Sequence, residues 1–153
     1  MSTPAIATAS VEVPCAPEVA FQLFTAEIGR WWKRGTNYWN DADKGQELRL
    51  EPGVGGRLVE VYDPETGDGF EVGRVLAWEP GRRLVFTWRQ AGWEPSESTE
   101  VEVRFEAAGA GTRVTVEHGG WERVRSASPG LSDGYSHGWG ELLHFYTQDA
   151  EAR

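Results

Sequence analysis

Few side chains in this sequence are candidates for catalysis or metal binding, and His118 is the strongest candidate. The segment 112–118 alternates so that Val114, Val116 and His118 share one face of a predicted strand, the face of the core. An imidazole there could act as an acid–base group, although no second titratable residue of known proximity forms a dyad with it. A core histidine with satisfied hydrogen bonds is the competing interpretation.

A possible metal set lies on the predicted C-terminal helix, where His137, Glu141 and His144 stand at i, i+4 and i+7. On a helical wheel these residues lie roughly 140–200° from Trp139, opposite the apolar stripe, so a solvated face is the better interpretation. The acidic hairpin 63–68 lacks the spacing and closing glutamate of a calcium loop. The sequence therefore predicts neither a metal nor a cofactor.

Other motifs give enzymatic chemistry no strong signature. The glycine-rich stretch 53–56 lies between predicted strands and opens no helix, so it does not predict a phosphate-binding loop. Cys15 is the one cysteine, has no activating base nearby in sequence, and is interpreted as a structural thiol. The chain contains no Gly-x-Ser-x-Gly motif and no paired-cysteine motif.

Length and charge narrow the class of protein. The 153 residues are expected to form a single domain, 1–153, and the net charge of −9 disfavours nucleic acid and anionic membranes as partners. The first ten residues lack the basic start and apolar run of a signal peptide, and no stretch is long enough to span a membrane. We expect a cytoplasmic protein.

The periodicity of apolar residues predicts the order of the elements. A strand near 5–13 is followed by one or two short helices in 17–32, a loop in 33–46, six further strands between 47 and 118, and a helix over 132–150. Taking Trp139 as zero, the side chains of the last helix that lie within about 60° form an apolar stripe: Tyr135, Leu142, Leu143, Tyr146 and Ala150. The expected fold is α+β, with one antiparallel sheet packed against one helix.

Short phrases in the sequence resemble the START-like, helix-grip superfamily also called SRPBCC. They are Ala-Pro-Glu-Val-Ala-Phe at 16–21, Ile-Gly-Arg-Trp-Trp at 28–32, Gly-Val-Gly-Gly-Arg at 53–57, Gly-Arg-Val-Leu-Ala-Trp-Glu-Pro at 73–80 and Gly-Thr-Arg-Val-Thr-Val-Glu-His at 111–118. Within it, the chain is most similar to the branch homologous to the carboxy-terminal domain of the heat-shock-protein-90 (Hsp90) ATPase activator. The resemblance implies a curved seven-stranded antiparallel sheet around a long C-terminal helix, with two short helices after the first strand.

The chain holds eight tryptophans, more than the core of one small domain readily absorbs, which favours an aromatic-walled hollow or an exposed aromatic surface. In a helix-grip fold the rings of Trp31, Trp32, Tyr38 and Trp39 would lie at the mouth of a cavity between sheet and helix. The predicted ligand-binding residues are Trp32, Trp39, Arg74, Phe86, Trp88, Phe105, His118, Trp139, Leu142, Leu143 and Tyr146. Whether Arg74 and Glu60 face inward or outward stays open, because both faces of their strands are partly apolar.

Three function classes remain. The leading hypothesis is a protein that binds a small apolar or aromatic ligand in this cavity. The second is a cyclase or hydrolase that uses the same hollow, with His118 as a weak catalytic candidate. The third is a co-chaperone or stress-related interaction domain, or a homodimer, that uses exposed rings of Trp93 and Trp121; burial of both rings would remove its support.

Overall fold

A seven-stranded antiparallel sheet dominates the computed structural model, which describes residues 6–125 and 130–152. The strands are β1 Ala7–Val13, β2 Glu47–Leu50, β3 Arg57–Asp63, β4 Asp68–Glu79, β5 Arg83–Trp88, β6 Thr99–Ala108 and β7 Gly111–Gly119. Their order across the sheet is β1-β7-β6-β5-β4-β3-β2, so every neighbour except the β1–β7 pair follows in sequence. This arrangement confirms the predicted number and direction of the strands.

Among the described residues, three α-helices cover one face of this sheet. They are α1 Pro17–Phe24, α2 Ile28–Trp31 and α3 Leu131–Glu151, and a short 3-10 turn lies at Trp121–Arg123. Proline at the first turn of α1 has no N–H to leave unpaired, which suits a helix start. Helix α3 packs along β1, where the Thr8 backbone N donates to Ser136 Oγ at 3.2 Å. The helix-grip fold is confirmed.

Strand alternation divides the sheet into a buried and a solvated face, as predicted. In β6 the side chains of Val101, Val103 and Phe105 are buried and alternate with partly exposed or exposed neighbours. The outer face carries cross-strand ion pairs such as Arg83 with Glu102. A clean period of two therefore gave the correct facing wherever the strand is regular.

Large rings fill the end of the molecule where α1, α2 and the C-terminal half of α3 meet. Phe24 lies 5.1 Å from Trp31 and 5.5 Å from Tyr146 between ring centroids, and none of the three exposes surface. The Trp31 indole N–H donates to Leu23 O at 2.9 Å, and the Tyr146 hydroxyl donates to Ala20 O at 2.7 Å. We call this region the filled end; it satisfies its polar atoms internally.

Candidate functional site

The opposite end of the space under α3 is a cavity of about 420 Å³. This volume lies within the range of about 300–1,000 Å³ that is typical of small-molecule sites. Its wall consists of four indoles, two tyrosines, small and aliphatic residues and three amides: Trp32, Trp39, Trp88, Trp139, Tyr38, Tyr135, Leu131, Leu142, Ala91, Gly92, Gly134, Gly138, Asn37, Asn40 and Gln90. No side chain in this lining is ionised at neutral pH.

Three buried tryptophans from different parts of the chain form one side of the wall. The ring centroids of Trp32, Trp88 and Trp139 lie 5.8–6.0 Å apart, with interplanar angles of 42–77°. Tilted and edge-to-face contacts of this kind are the favoured geometries of aromatic pairs. The three rings together form an aromatic corner on which a flat ligand can lie.

Each indole of the cavity already donates its N–H to the protein. Trp32 donates to Tyr38 O at 3.0 Å, and Trp39 donates to Lys33 O at 2.9 Å. Trp139 donates to His118 Nδ1 at 3.1 Å. With its polar edge satisfied in this way, each ring offers mainly its apolar surface to the cavity.

Two polar side chains of the cavity wall converge on the hydroxyl of Tyr135. Its oxygen accepts from Trp88 Nε1 at 2.9 Å and from Gln90 Nε2 at 2.5 Å. Burial raises the pKa of the Tyr135 phenol above its ordinary value, although the two donors oppose the shift. The phenol therefore keeps its proton at neutral pH. Sequence reasoning placed Tyr135 on the helix stripe but missed its role here, because the two partners lie more than 40 positions away.

The buried side chain of Glu60 fixes the loop around Asn40 and Asp41 at the border of the cavity. Glu60 points inward from β3, with 1% of its surface exposed, and accepts from the backbone N of Asn40 at 2.7 Å and of Asp41 at 2.9 Å. Asn40 in turn accepts from the Ala91 backbone N at 2.9 Å. The side chains of Glu60 and Asn40 thus tie together the two loops that border the cavity. Glu60 therefore faces inward.

Five of the predicted ligand-binding residues lie on the cavity wall: Trp32, Trp39, Trp88, Trp139 and Leu142. Phe86, Phe105, Leu143 and Tyr146 do not; they face inward as predicted but are buried in the core, where neighbouring side chains fill the space. Trp31 was expected at the mouth and lies instead at the filled end.

The placement of Arg74 in the cavity is wrong. Its guanidinium lies on the exposed surface and pairs with Glu71, with Nη2 to Oε1 at 2.9 Å. Strand β4 changes register between Val75 and Ala77, and a second register shift separates its pairing at Leu58 from that at Val59. Such irregularities break the period of two on which a facing prediction depends.

His118 is sealed beneath the cavity and does not line it. An indole N–H can only donate, so the bond from Trp139 leaves the proton of the neutral ring on Nε2, which lies 2.6 Å from Thr99 Oγ1. Thr99 Oγ1 in turn donates to Trp88 O at 3.2 Å. Burial lowers the pKa of His118 to about 3, so the ring is neutral at pH 7. The prediction of a core histidine with satisfied bonds fits this geometry.

The other sequence candidates do not line the cavity. His137 is exposed on the outer face of α3, and its Nε2 is 3.7 Å from Glu141 Oε2. Within 6–125 and 130–152, no group of three histidine, cysteine, aspartate or glutamate side chains has the geometry to hold a metal ion. The rings of Trp93 and Trp121, whose exposure the interaction-domain hypothesis required, are buried and pack edge to face at 6.3 Å. That hypothesis therefore loses this support.

A sequence model of the family described as "Activator of Hsp90 ATPase homolog 1-like protein" matches residues 14–146. The chain belongs to this family. Its membership in the Hsp90-ATPase-activator-like family confirms the resemblance found in the sequence and accounts for the sheet and helix order. No curated protein sequence matches the chain significantly.

Solved structures with the same fold include three informative relatives. Protein MLL2253 from Mesorhizobium loti is 20% identical with a TM-score of 0.67, and the match covers 94% of this chain and 95% of that one. The Aha1 dimer from Colwellia psychrerythraea is 20% identical with a TM-score of 0.62, covering 96% of each. An anthrahydroquino-gamma-pyrone synthase, Txn09, is 28% identical with a TM-score of 0.61, covering 97% of this chain and 99% of that one.

Proposed function

We propose that this member of the Hsp90-ATPase-activator-like family binds a small aromatic molecule in the cavity under α3. The observation that carries the proposal is the aromatic corner of Trp32, Trp88 and Trp139, which opens to a space of about 420 Å³. Mostly apolar walls with a few convergent polar groups are the usual design of small-molecule sites. The similarity to a synthase named for an aromatic product lends further support.

A second candidate is an enzyme of the cyclase type that uses the same cavity. The 28% identity to the pyrone synthase favours it. The enzyme hypothesis required His118 to open to the cavity beside a carboxylate or an arginine, whereas the ring has no exposed surface and bonds to Thr99 and Trp139. Binding without acid–base chemistry by this histidine is therefore the better supported function.

The expectations about a partner, the number of domains and the cellular location are also proposals. A protein partner or homodimer is compatible with the Aha1 dimer among the similar structures, but the buried rings of Trp93 and Trp121 no longer support it. A single domain over 1–153 and a cytoplasmic location stay predictions. Among the described helices, none combines the length and apolar character needed to cross a membrane.

The experiment that tests binding is a titration of intrinsic tryptophan fluorescence with flavone, followed by fatty acids, sterols and polyketides as further probes. We expect saturable quenching by flavone, because three of the cavity rings contact one another at the binding surface. A flat response to every probe would contradict the proposal.

Two helix glycines provide a matched pair of variants. Gly134 lines the cavity, Gly140 is exposed on the outer face of α3, and a Cβ added at either meets no described atom within 4 Å. Gly134→Leu fills the cavity and should weaken flavone binding at least about tenfold, whereas Gly140→Leu should leave it unchanged. Equal affinities in the two variants would place the binding site elsewhere.

A further inference from the structure

The hydroxyl proton of Tyr135 has no acceptor among the described residues. A phenol has one O–H donor and can accept on its oxygen, and both bonds to this oxygen are accepted, from Trp88 Nε1 at 2.9 Å and from Gln90 Nε2 at 2.5 Å. The residue lies on the cavity wall. Tyr135 is half-buried, and a donor that a bound ligand covers without offering an acceptor is costly, so a ligand atom that accepts this proton would bind favourably.

The orientation of the Gln90 side-chain amide does not remove the donor from the cavity wall. If the amide were rotated by 180°, Tyr135 would donate to Gln90 Oε1 and both amide N–H groups would be left as donors. In either orientation, the Tyr135–Gln90 pair keeps a hydrogen-bond donor at the cavity wall. Either orientation of the amide therefore leaves a donor available to a ligand.

The indole N–H groups and the Asn40 amide of the wall already have hydrogen-bond partners. The four cavity indoles donate to protein acceptors, and the Asn40 side chain bonds to the Ala91 backbone N and to Glu60. The donor of the Tyr135–Gln90 pair is thus a local polar feature in largely aromatic surroundings. A ligand that matches this wall needs an acceptor atom at one position and an apolar surface elsewhere.

The charge of the wall limits the ligand further. The lining contains no lysine, arginine, histidine, aspartate or glutamate. A charged ligand would lose hydration on entry and would gain no counter-ion, at a considerable cost in free energy. Carboxylates and phosphates are therefore poor matches, and uncharged molecules are favoured.

We propose that the Tyr135–Gln90 pair donates a hydrogen bond to the carbonyl oxygen of an uncharged aromatic ketone or quinone, whose rings lie against Trp32, Trp88 and Trp139. A carbonyl oxygen is a strong acceptor that carries no net charge, and a conjugated ketone is flat. This assignment rests on the proposed function, because it names the class of ligand and the residues that select it.

The test compares two probes of nearly equal size and shape, 9-fluorenone and fluorene, which differ in one carbonyl group. Their affinities are measured by tryptophan fluorescence and by calorimetry on the full chain. We expect fluorenone to bind about tenfold more tightly than fluorene, the size of effect that one buried neutral hydrogen bond gives. The double substitution Tyr135→Phe with Gln90→Leu is made in a Trp88→Phe background, because Trp88 Nε1 would otherwise lose its acceptor and be free to donate to the carbonyl itself. In that background the double substitution should lower the affinity for fluorenone to that for fluorene and leave the affinity for fluorene unchanged.

The outcomes separate the two proposals. If neither probe binds the wild type, the proposed function fails and this assignment fails with it. If both bind equally well, the cavity binds aromatic molecules but the carbonyl assignment is overturned. A preference for fluorenone that survives the double substitution also overturns it.

A spectroscopic measurement guards against a variant that folds poorly. The infrared carbonyl stretch of fluorenone bound to the wild type should lie at a lower frequency than in hexane, because a hydrogen bond weakens the C=O bond. Fluorenone bound to the Gly140→Leu protein should show the same lowered frequency. A hexane-like frequency in the wild type would show that the bound carbonyl accepts no hydrogen bond and would overturn the assignment.

Discussion

The two halves of helix α3 cover the same sheet, but one half packs on a filled core and the other borders a cavity. In its second half, Leu143 and Tyr146 are fully buried against Phe24 and Trp31, which the short helices supply. In its first half, Gly134 and Gly138 replace large side chains, and loops border the space instead of helices. The filled end and the cavity thus differ both in side-chain volume and in the elements that border them.

This difference explains why so many tryptophans are compatible with one small fold. Trp31 and Trp32 are adjacent in sequence, yet one packs wholly inside the filled end and the other lies on the cavity wall. Helix α2 ends at Trp31, so the next residue leaves the helical path. The aromatic excess serves a solid core at one end and the wall of a cavity at the other.

Truncating one ring at each end should give the largest difference in stability. Phe24→Ala should lower the free energy of unfolding by about 3–5 kcal/mol, since it leaves a void among rings that expose no surface. Trp39→Ala should cost only about 1 kcal/mol, because that ring is partly exposed beside a space that already exists. Urea unfolding of both variants measures the contrast, and similar losses would mean that the cavity end is packed as tightly as the core.

His118, which lies between the sheet and the cavity, should make the stability of the protein depend on pH. Burial lowers the pKa of His118 from 6.5 to about 3, so the unfolded chain binds one more proton than the folded chain between these values. Stability from this group is complete above pH 6.5 and is lost as the pH falls towards 3, by about 3 kcal/mol between pH 7 and pH 4.

The control for this prediction is His118→Gln, whose amide can accept from Trp139 and donate to Thr99 but does not titrate. Its unfolding free energy, followed by urea denaturation from pH 7 to pH 4, should fall less steeply than that of the wild type. Parallel curves would mean that His118 is not buried as a neutral ring.

Sequence patterns were sufficient where the periodicity was regular. The alternation in β5 and β6 predicted the inward facing of Phe86 and Phe105, and the helical stripe predicted the burial of Leu142 and Tyr146. These predictions depend only on the period of the element and on which face is apolar. The family resemblance added the curvature of the sheet and the position of the helix.

Contacts between distant segments could not be predicted in this way. Tyr135 meets Gln90 only because α3 crosses the end of β5, and Glu60 reaches the loop at Asn40 across 20 positions. Neither contact has a local sequence signal. Arg74 was misplaced because register shifts in β4 reset the alternation.

The most direct test of the cavity is fluorine NMR of the protein labelled with 5-fluorotryptophan and titrated with flavone. The label gives one signal for each of the eight tryptophans, assigned by single Trp→Phe substitutions. We predict the largest shifts for Trp32, Trp88 and Trp139, which form the aromatic corner, and little change for Trp78, which packs against Phe21 at 5.0 Å outside the cavity. Shifts confined to tryptophans away from the wall, or unchanged signals at saturating flavone, would contradict the account.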